Sequence, residues 1–399
     1  MKKIMLLGGN YFQMTATKAA KELGCHVISV DYLPENPAHK IADEYCNVST
    51  TDKDNILKLA EKLGIDGIVS YASDASAPTA AYVAEKMGLP TNPYESVLLM
   101  TRKDMFRDFL KRNDFYVPEG KSFKSEDEKE AYDFFISLDK PVMIKPVDAS
   151  GSKGVSKVYE NSDFKKAFEL ATTYSNAGFV IIEGFMERDG YQVAGDGFIV
   201  NGKLKFTGLM NEHFDVKCNP LVPIGESYPS ILNECLKEKA INEIQRLITS
   251  LDMKMGAINL DFIVNKDGRV CILEIGPRNG GNLITDVIKE SNEIDLAEYT
   301  IKAALGLDCS RLYQKEAVKF ISSYIVHSKN SGYYSEMLLD PEVEKDIIRE
   351  ELFIEKGNPV KKFDNAGFGI GAMIIRHKSI DEMCYRMDHM DEFIKINVR

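Results

Sequence analysis

The chain has 399 residues, of which 44% are apolar and 28% charged, with a formal net charge of −11. That composition supports two or three domains with real cores and excludes a disordered chain. The acidic balance argues against a nucleic-acid binder, and no apolar run of about eighteen residues exists, so no membrane span is expected. The start, Met1 to Leu7, looks briefly like an export signal. Its apolar run stops at Gly8-Gly9-Asn10, so a buried first strand and a cytoplasmic protein are expected instead. Seven cysteines are scattered without C-x-x-C spacing and read as reduced, mostly buried thiols.

Residues 1–95 alternate strands and helices. Lys3–Leu7, His26–Val30 and Gly67–Ser70 read as strands. Thr15–Leu23, Asp54–Leu63 and Pro78–Met87 read as helices, the first two stopped by glycine. This rhythm predicts a doubly wound parallel sheet. Residues 96–178 begin with two helical patterns. A strand at 141–146 follows, then a small-residue loop at 148–155, a short strand and a helix. Residues 179–310 are richer in strands. Asn201-Gly202 and Lys266-Asp267-Gly268 each mark a hairpin, and 236–251 is an amphipathic helix. The predicted organisation is an α/β domain at 1–95, a middle domain at 96–310 with subdomains near 96–178 and 179–310, and an α+β domain at 311–399. Gly367–Gly371 is read as packing or a bulge ahead of an apolar strand.

The second hairpin carries the strongest chemical signal. Asp261 and Glu274 flank its turn, each inside an apolar run. Facing each other, two carboxylates repel unless a cation lies between them, and Mg²⁺ favours one or two carboxylates plus phosphate oxygens. Arg278 is placed to reach the same space. The segment Gly276 to Asn282 is a tight polar loop whose glycines allow close approach to an anion. Lys145 ends an apolar strand, so it needs an acidic partner, either a carboxylate or a nucleotide phosphate. The loop with Gly151, Ser152, Lys153 and Gly154 offers free N–H groups, although by itself it reads equally as a plain turn, and it is not a P-loop. Read alone, Lys103 is a solvated surface lysine, and Glu183 to Met186 reads equally as a simple strand end or as a short linker whose free backbone groups and apolar side chains suit an adenine ring. Gly8-Gly9-Asn10 lacks dinucleotide-binding spacing but suits an anion or a carboxylate. His213 and Lys217 lie in a polar stretch, 211–229, read as surface or as a mobile lid.

Together these segments resemble the ATP-grasp superfamily, over residues 1 to about 310. The resemblance rests on the order Lys103, Lys145, glycine-rich loop, Glu183-x-x-Met186, Asp261, Glu274, Arg278. The stretch from Gly8 to Asp43 is similar to the purine-pathway members. The run Glu274 to Gly281 is closer to the carbamoyl-phosphate-synthase-like and amino-acid-ligase branch. The resemblance implies an ATP-grasp fold and an ATP-dependent carboxylate–amine ligase working through an acyl phosphate, with ATP and Mg²⁺, or Mn²⁺, as cofactors.

The same resemblance implies roles for individual residues. Lys103 and Lys145 hold phosphates, with Lys145 and Arg278 catalytic, and residues 151–154 cover them. Glu183, Phe185 and Met186 frame adenine, and Gln192 meets the ribose. Asp261 and Glu274 bind metal. Arg278, Gly280, Gly281, Asn282, Gly9 and Asn10 meet the substrate. Three positions depart from the pattern: Gly276 stands where many members have asparagine, Gln192 where a glutamate is common, and Asp261 where some relatives have glutamate. Two other readings stay open, a purine-type enzyme acting on a ribonucleotide and a non-catalytic ATP-binding protein. The first needs a basic phosphate-binding cluster, which the sequence does not clearly show. The expected partners are a small carboxylate and a small amine, in a homodimer.

Overall fold

The computed structural model describes residues 1–399. At the N-terminus β1 (Lys3–Leu7), β2 (His26–Val30), β3 (Glu44–Cys46) and β4 (Gly67–Ser70) form a parallel sheet in the order β3-β2-β1-β4. These strands are nearly continuous apolar runs because helices cover both faces. Alternate residues of β1 and β2 point each way. Ile4, Leu6 and Val27 pack with α1 (Met14–Glu22), while Met5, Leu7 and Ile28 pack with α2 (Lys53–Leu63) and α3 (Ala77–Lys86). Asp52 caps α2 by accepting the Asn55 N–H at 3.2 Å. The parallel sheet is as expected from the sequence.

Helices α4 (Tyr94–Met100) and α5 (Lys103–Arg112) lead to an antiparallel sheet, β5-β8-β6-β7. It comprises β5 (Gly120–Lys124), β6 (Val142–Pro146), β7 (Ser156–Val158) and β8 (Phe179–Gly184). Helices α6 (Glu128–Leu138) and α7 (Asn161–Tyr174) pack on it through a core rich in phenylalanine.

The largest element is an eight-stranded antiparallel sheet, β13-β12-β9-β10-β11-β14-β18-β16. Its strands are β9 (Gln192–Val200), β10 (Lys203–Phe214), β11 (Pro223–Tyr228), β12 (Met255–Val264), β13 (Val270–Gly276), β14 (Phe320–Val326), β16 (Ile347–Leu352) and β18 (Gly371–His377). A small sheet, β17-β15-β19, joins β15 (Gly332–Leu339), β17 (Pro359–Val360) and β19 (Ile394–Val398). Helix α8 (Glu234–Ser250) covers one end of the large sheet. Helix α9 (Ile284–Asn292) enters its main core, and α10 (Leu296–Ala304) crosses back to pack on the N-terminal sheet.

Two sequence readings are revised here. The boundary drawn at 310 falls inside one sheet and one core, since β14, β16 and β18 extend the sheet that β9–β13 begin, and one apolar cluster runs from Phe198 to Ile394. The stretch 211–229 is no lid: most of it is the end of β10 and all of β11. His213 is buried between Asp388, which is 2.8 Å from Nδ1, and Ser227, which is 2.8 Å from Nε2. Only Lys217 is at the surface, paired with Asp391. No helix is long and apolar enough to cross a membrane.

Candidate active site

A cavity of about 590 Å³ opens between the β5–β8 sheet and the large sheet. It is lined by ten residues singled out from the sequence: Lys103, Lys145, Gly151, Ser152, Glu183, Phe185, Met186, Gln192, Asp261 and Glu274. The hairpin supplies the carboxylates. Pairing runs Val264↔Val270, Ile263↔Cys271, Phe262↔Ile272, and then shifts so that Asp261 meets Glu274. Without that bulge Asp261 would face Leu273, and Glu274 would point to the other side.

Burial, and then the Glu274 carboxylate opposite, push Asp261 up to about 7. Gln192 Nε2 donates to Asp261 Oδ1 at 2.8 Å. Lys103 Nζ lies 3.1 Å from Glu274 Oε2 and donates to the Ala149 carbonyl at 2.8 Å. Two carboxylates facing each other across a hairpin, one of them resisting ionisation, suit a cation between them, so Asp261 and Glu274 are the residues that would hold Mg²⁺.

Lys145 answers the question its sequence position raised. Its Nζ lies 3.1 Å from Glu183 Oε2. The same carboxylate pairs with Arg107 Nε, and Arg107 also donates to the carbonyls of Ile272 at 2.9 Å and Leu273 at 3.2 Å. Burial alone would raise Glu183, but Arg107 and Lys145 hold it down to about 2. The Glu183 side chain therefore neutralises two cations, and only its backbone and those of its neighbours are free to frame a base. Arg107 was missed from the sequence. Its signal was present, since Lys103 and Arg107 lie one turn apart on the same helix face.

Glu212 was also missed. It lines the cavity, opposite Gln192 in the β9–β10 ladder, with a buried and unpartnered Oε2. Burial, then Asp261 and Glu226, push it well above the carboxylate range. Lys157 also lines the cavity, 3.2 Å from the centroid of the Phe185 ring.

Other sequence-predicted residues lie elsewhere. Lys153 and Gly154 belong to the loop but do not line the cavity. Arg278 does not reach it either, because Asp74 takes its guanidinium, Nε to Oδ1 at 2.8 Å and Nη2 to Oδ2 at 2.5 Å. This pair also explains Gly276: a Cβ there would sit 2.8 Å from Asp74 Oδ1. The glycine loop faces a protein anion rather than a ligand. Gly280 N–H donates to Asp196 at 2.8 and 3.1 Å, and Asn279 Nδ2 donates to it at 3.2 Å. A side chain at Gly280 would collide with Asn259, which donates to the same carboxylate. Burial, partly offset by these donors, pushes Asp196 up to about 6. Gly281 has open space beside it. Gly9 packs against His39 and accepts the Ala38 N–H through its carbonyl.

Asn10 and Asn282 instead line a second cavity of about 610 Å³, which shares Pro223 with the first. The two cavities also meet at a loop contact. Ala366, on the wall of the second, donates its N–H to the Gly151 carbonyl at 3.1 Å.

The fold and this charged cavity define an ATP-dependent ligase of the ATP-grasp type. Residues 101–282 match the ATP-grasp domain family. It is 27% identical over 322 residues to a formate-dependent phosphoribosylglycinamide formyltransferase of Prochlorococcus marinus, covering 79% of this chain and 80% of that one. Its structure is similar to the L-amino acid ligase of Bacillus licheniformis, with a TM-score of 0.82, 18% identity, and 100% and 99% of the two chains covered. It is also similar to the biotin carboxylase domain of the Hydrogenobacter thermophilus 2-oxoglutarate carboxylase, solved with MgADP and bicarbonate. There the TM-score is 0.75 at 17% identity, covering 100% of this chain and 91% of that one.

Proposed function

We propose that the protein joins a carboxylate to an amine through an acyl phosphate, releasing ADP and phosphate. A carboxylate oxygen of the substrate attacks the γ-phosphorus, the bond to the β–γ bridging oxygen breaks, and ADP leaves. The amine nitrogen then attacks the acyl carbon, phosphate leaves with the bonding pair, and the amine proton passes to solvent. Both reactants of the first step are anions, so the site must supply positive charge where they meet.

The observation that supports this reading is the convergence of Lys103, Lys145 and the Asp261–Glu274 pair on one cavity, from elements on both of its sides. Asp261 and Glu274 would hold Mg²⁺, which when bound would neutralise phosphate charge. Lys103 and Lys145 exchange their present carboxylate partners for phosphate oxygens. Gly151 and Ser152 cover the phosphates, the backbone of 183–186 and the side chains of Phe185 and Met186 receive the base, and Gln192 meets the ribose. Excluding water strengthens each contact: two unit charges at 4 Å interact by about 4 kcal/mol at an effective dielectric of 20, against about 1 in water. Arg278 is left a positioning role, holding the 277–282 loop to the N-terminal domain through Asp74.

A second reading has a specific observation behind it. The similarity to the formyltransferase favours a phosphoribosyl amine as the acceptor over a free amine. Both readings share the acyl-phosphate chemistry. ADP release against a panel of carboxylates paired with free or phosphoribosyl amines separates them. No release with any pair, despite MgATP binding, would sink both.

A further inference from the structure

We infer that the second cavity binds an unphosphorylated amino acid with an aromatic or large apolar side chain. The inference rests on the ligase reading and names the class of its second substrate.

One wall is aromatic. Tyr11, Phe12 and Phe353 form a cluster with ring centroids 4.9 to 6.0 Å apart, two of the three pairs being edge-on. Phe353 remains 38% exposed toward this space. An exposed aromatic surface at the mouth of an enclosed space is a place to stack a ring or an aliphatic chain.

The charges suit a zwitterion. Arg349 places Nη1 2.8 Å from Asp286 Oδ1, while its Nε is buried without a partner. A third of the Arg349 side chain stays exposed on the cavity wall, where an incoming carboxylate can meet the guanidinium. Lys18 adds an unpaired ammonium nearby, and Glu351 an unpaired carboxylate for an α-ammonium.

The same residues work against a phosphate. A phosphomonoester carries about −1.5 to −2 charges at neutral pH and calls for clustered arginines or free backbone N–H groups. The one arginine here is already shared with Asp286. Glu351, two residues along β16, projects from the same strand face. Both glycine loops with N–H groups suited to an anion are taken by the protein itself. Asn10 N–H donates to Gln13 Oε1 at 2.9 Å, with Gln13 Nε2 anchored on the Tyr71 carbonyl at 3.0 Å. The N–H of Gly280 goes to Asp196.

The chain contains no tryptophan, so bound L-tryptophan can be followed by its own fluorescence. The full chain with MgADP is titrated with L-tryptophan. A saturable blue shift is expected, reversed by L-phenylalanine and not by ribose 5-phosphate. Phe353→Ala and Arg349→Met should each weaken it by about tenfold or more, with MgATP affinity unchanged as the control for folding. No saturable shift, or displacement by ribose 5-phosphate but not by L-phenylalanine, would overturn the inference. ADP release keeps the two ideas apart. Turnover with phosphoribosyl amines alone leaves the ligase reading standing and removes this one. Tryptophan binding without ADP release from any pair removes the ligase reading and leaves an amino-acid site.

Discussion

The first cavity is lined largely by charges already matched within the protein, Glu212 excepted, whereas the second is lined by rings and by charges matched only in part. In the first, Glu183 lies between Arg107 and Lys145, and Glu274 meets Lys103. In the second, Arg349 keeps an unpartnered Nε, and Lys18 and Glu351 have no ion pair. Matched charges hold a shape that a polyanion and its metal enter by exchanging partners. Unmatched charges beside an aromatic wall await a smaller ligand that brings its own. The two also differ in origin. About half of the first cavity's lining comes from strands between residues 142 and 276, while the second draws on residues from 10 to 369.

Four experiments press on this contrast. Removing the buried anion should have the largest effect. Glu183→Ala strands two buried cations and should cost about 3–5 kcal/mol, measured by urea unfolding. The pH sign follows from the depressed carboxyl. Glu183 at about 2 in the fold, against an ordinary 4.5, stabilises fully above pH 4.5, and that contribution drains away as pH falls toward 2. A variant as stable as wild type would mean the pair does not organise the cavity.

Glu274→Ala should lower ADP release by roughly 100-fold or more at saturating MgATP, the scale of losing one preorganised electrostatic contact, while tryptophan binding stays unchanged. Near wild-type release would remove the metal assignment. Phe353→Ala should do the reverse. It should raise KM for the second substrate by about tenfold, roughly 1.4 kcal/mol, and leave KM for ATP within about twofold. If instead KM for ATP rises equally, the two cavities are one site.

The last experiment separates the background of the fold from both cavities. His377 in β18 bonds Ser322 through Nε2 at 2.8 Å and leaves Nδ1 buried and unpartnered. Burial, helped by Arg386, pushes it down to about 3. A lowered histidine stabilises the fold above its unfolded value near 6.5 and loses about 1.4 kcal/mol per pH unit as pH falls below it. His377→Gln should flatten the urea midpoint between pH 6.5 and 5. An unchanged slope would place the titrating group elsewhere.

Much of the nucleotide cavity was legible because its signals are local. Lys145 ends an apolar strand, and the hairpin turn sits between the Asp261 and Glu274 carboxylates. Arg107 and Glu212 escaped because each looked like an ordinary surface charge until packing buried it. The glycine loops misled for a related reason. Their free N–H groups were read correctly as donors, but the acceptors that reached them were Asp196 and Gln13.

The sequence by itself determined the alternation that makes the parallel sheet, the hairpin turns, and the polar residues placed inside apolar strands, since these depend on neighbours a few residues apart. Tertiary structure alone decided three things. It set the bulge that brings Glu274 opposite Asp261, since the turn's own register would have faced Asp261 with Leu273. It gave Arg278 to Asp74, two hundred and four residues away. It closed the second cavity from segments of the whole chain. The physical reason is common to all three. Local spacing fixes which groups can donate or accept, but a buried polar group bonds whichever partner long-range closure delivers, and only the folded chain makes that delivery.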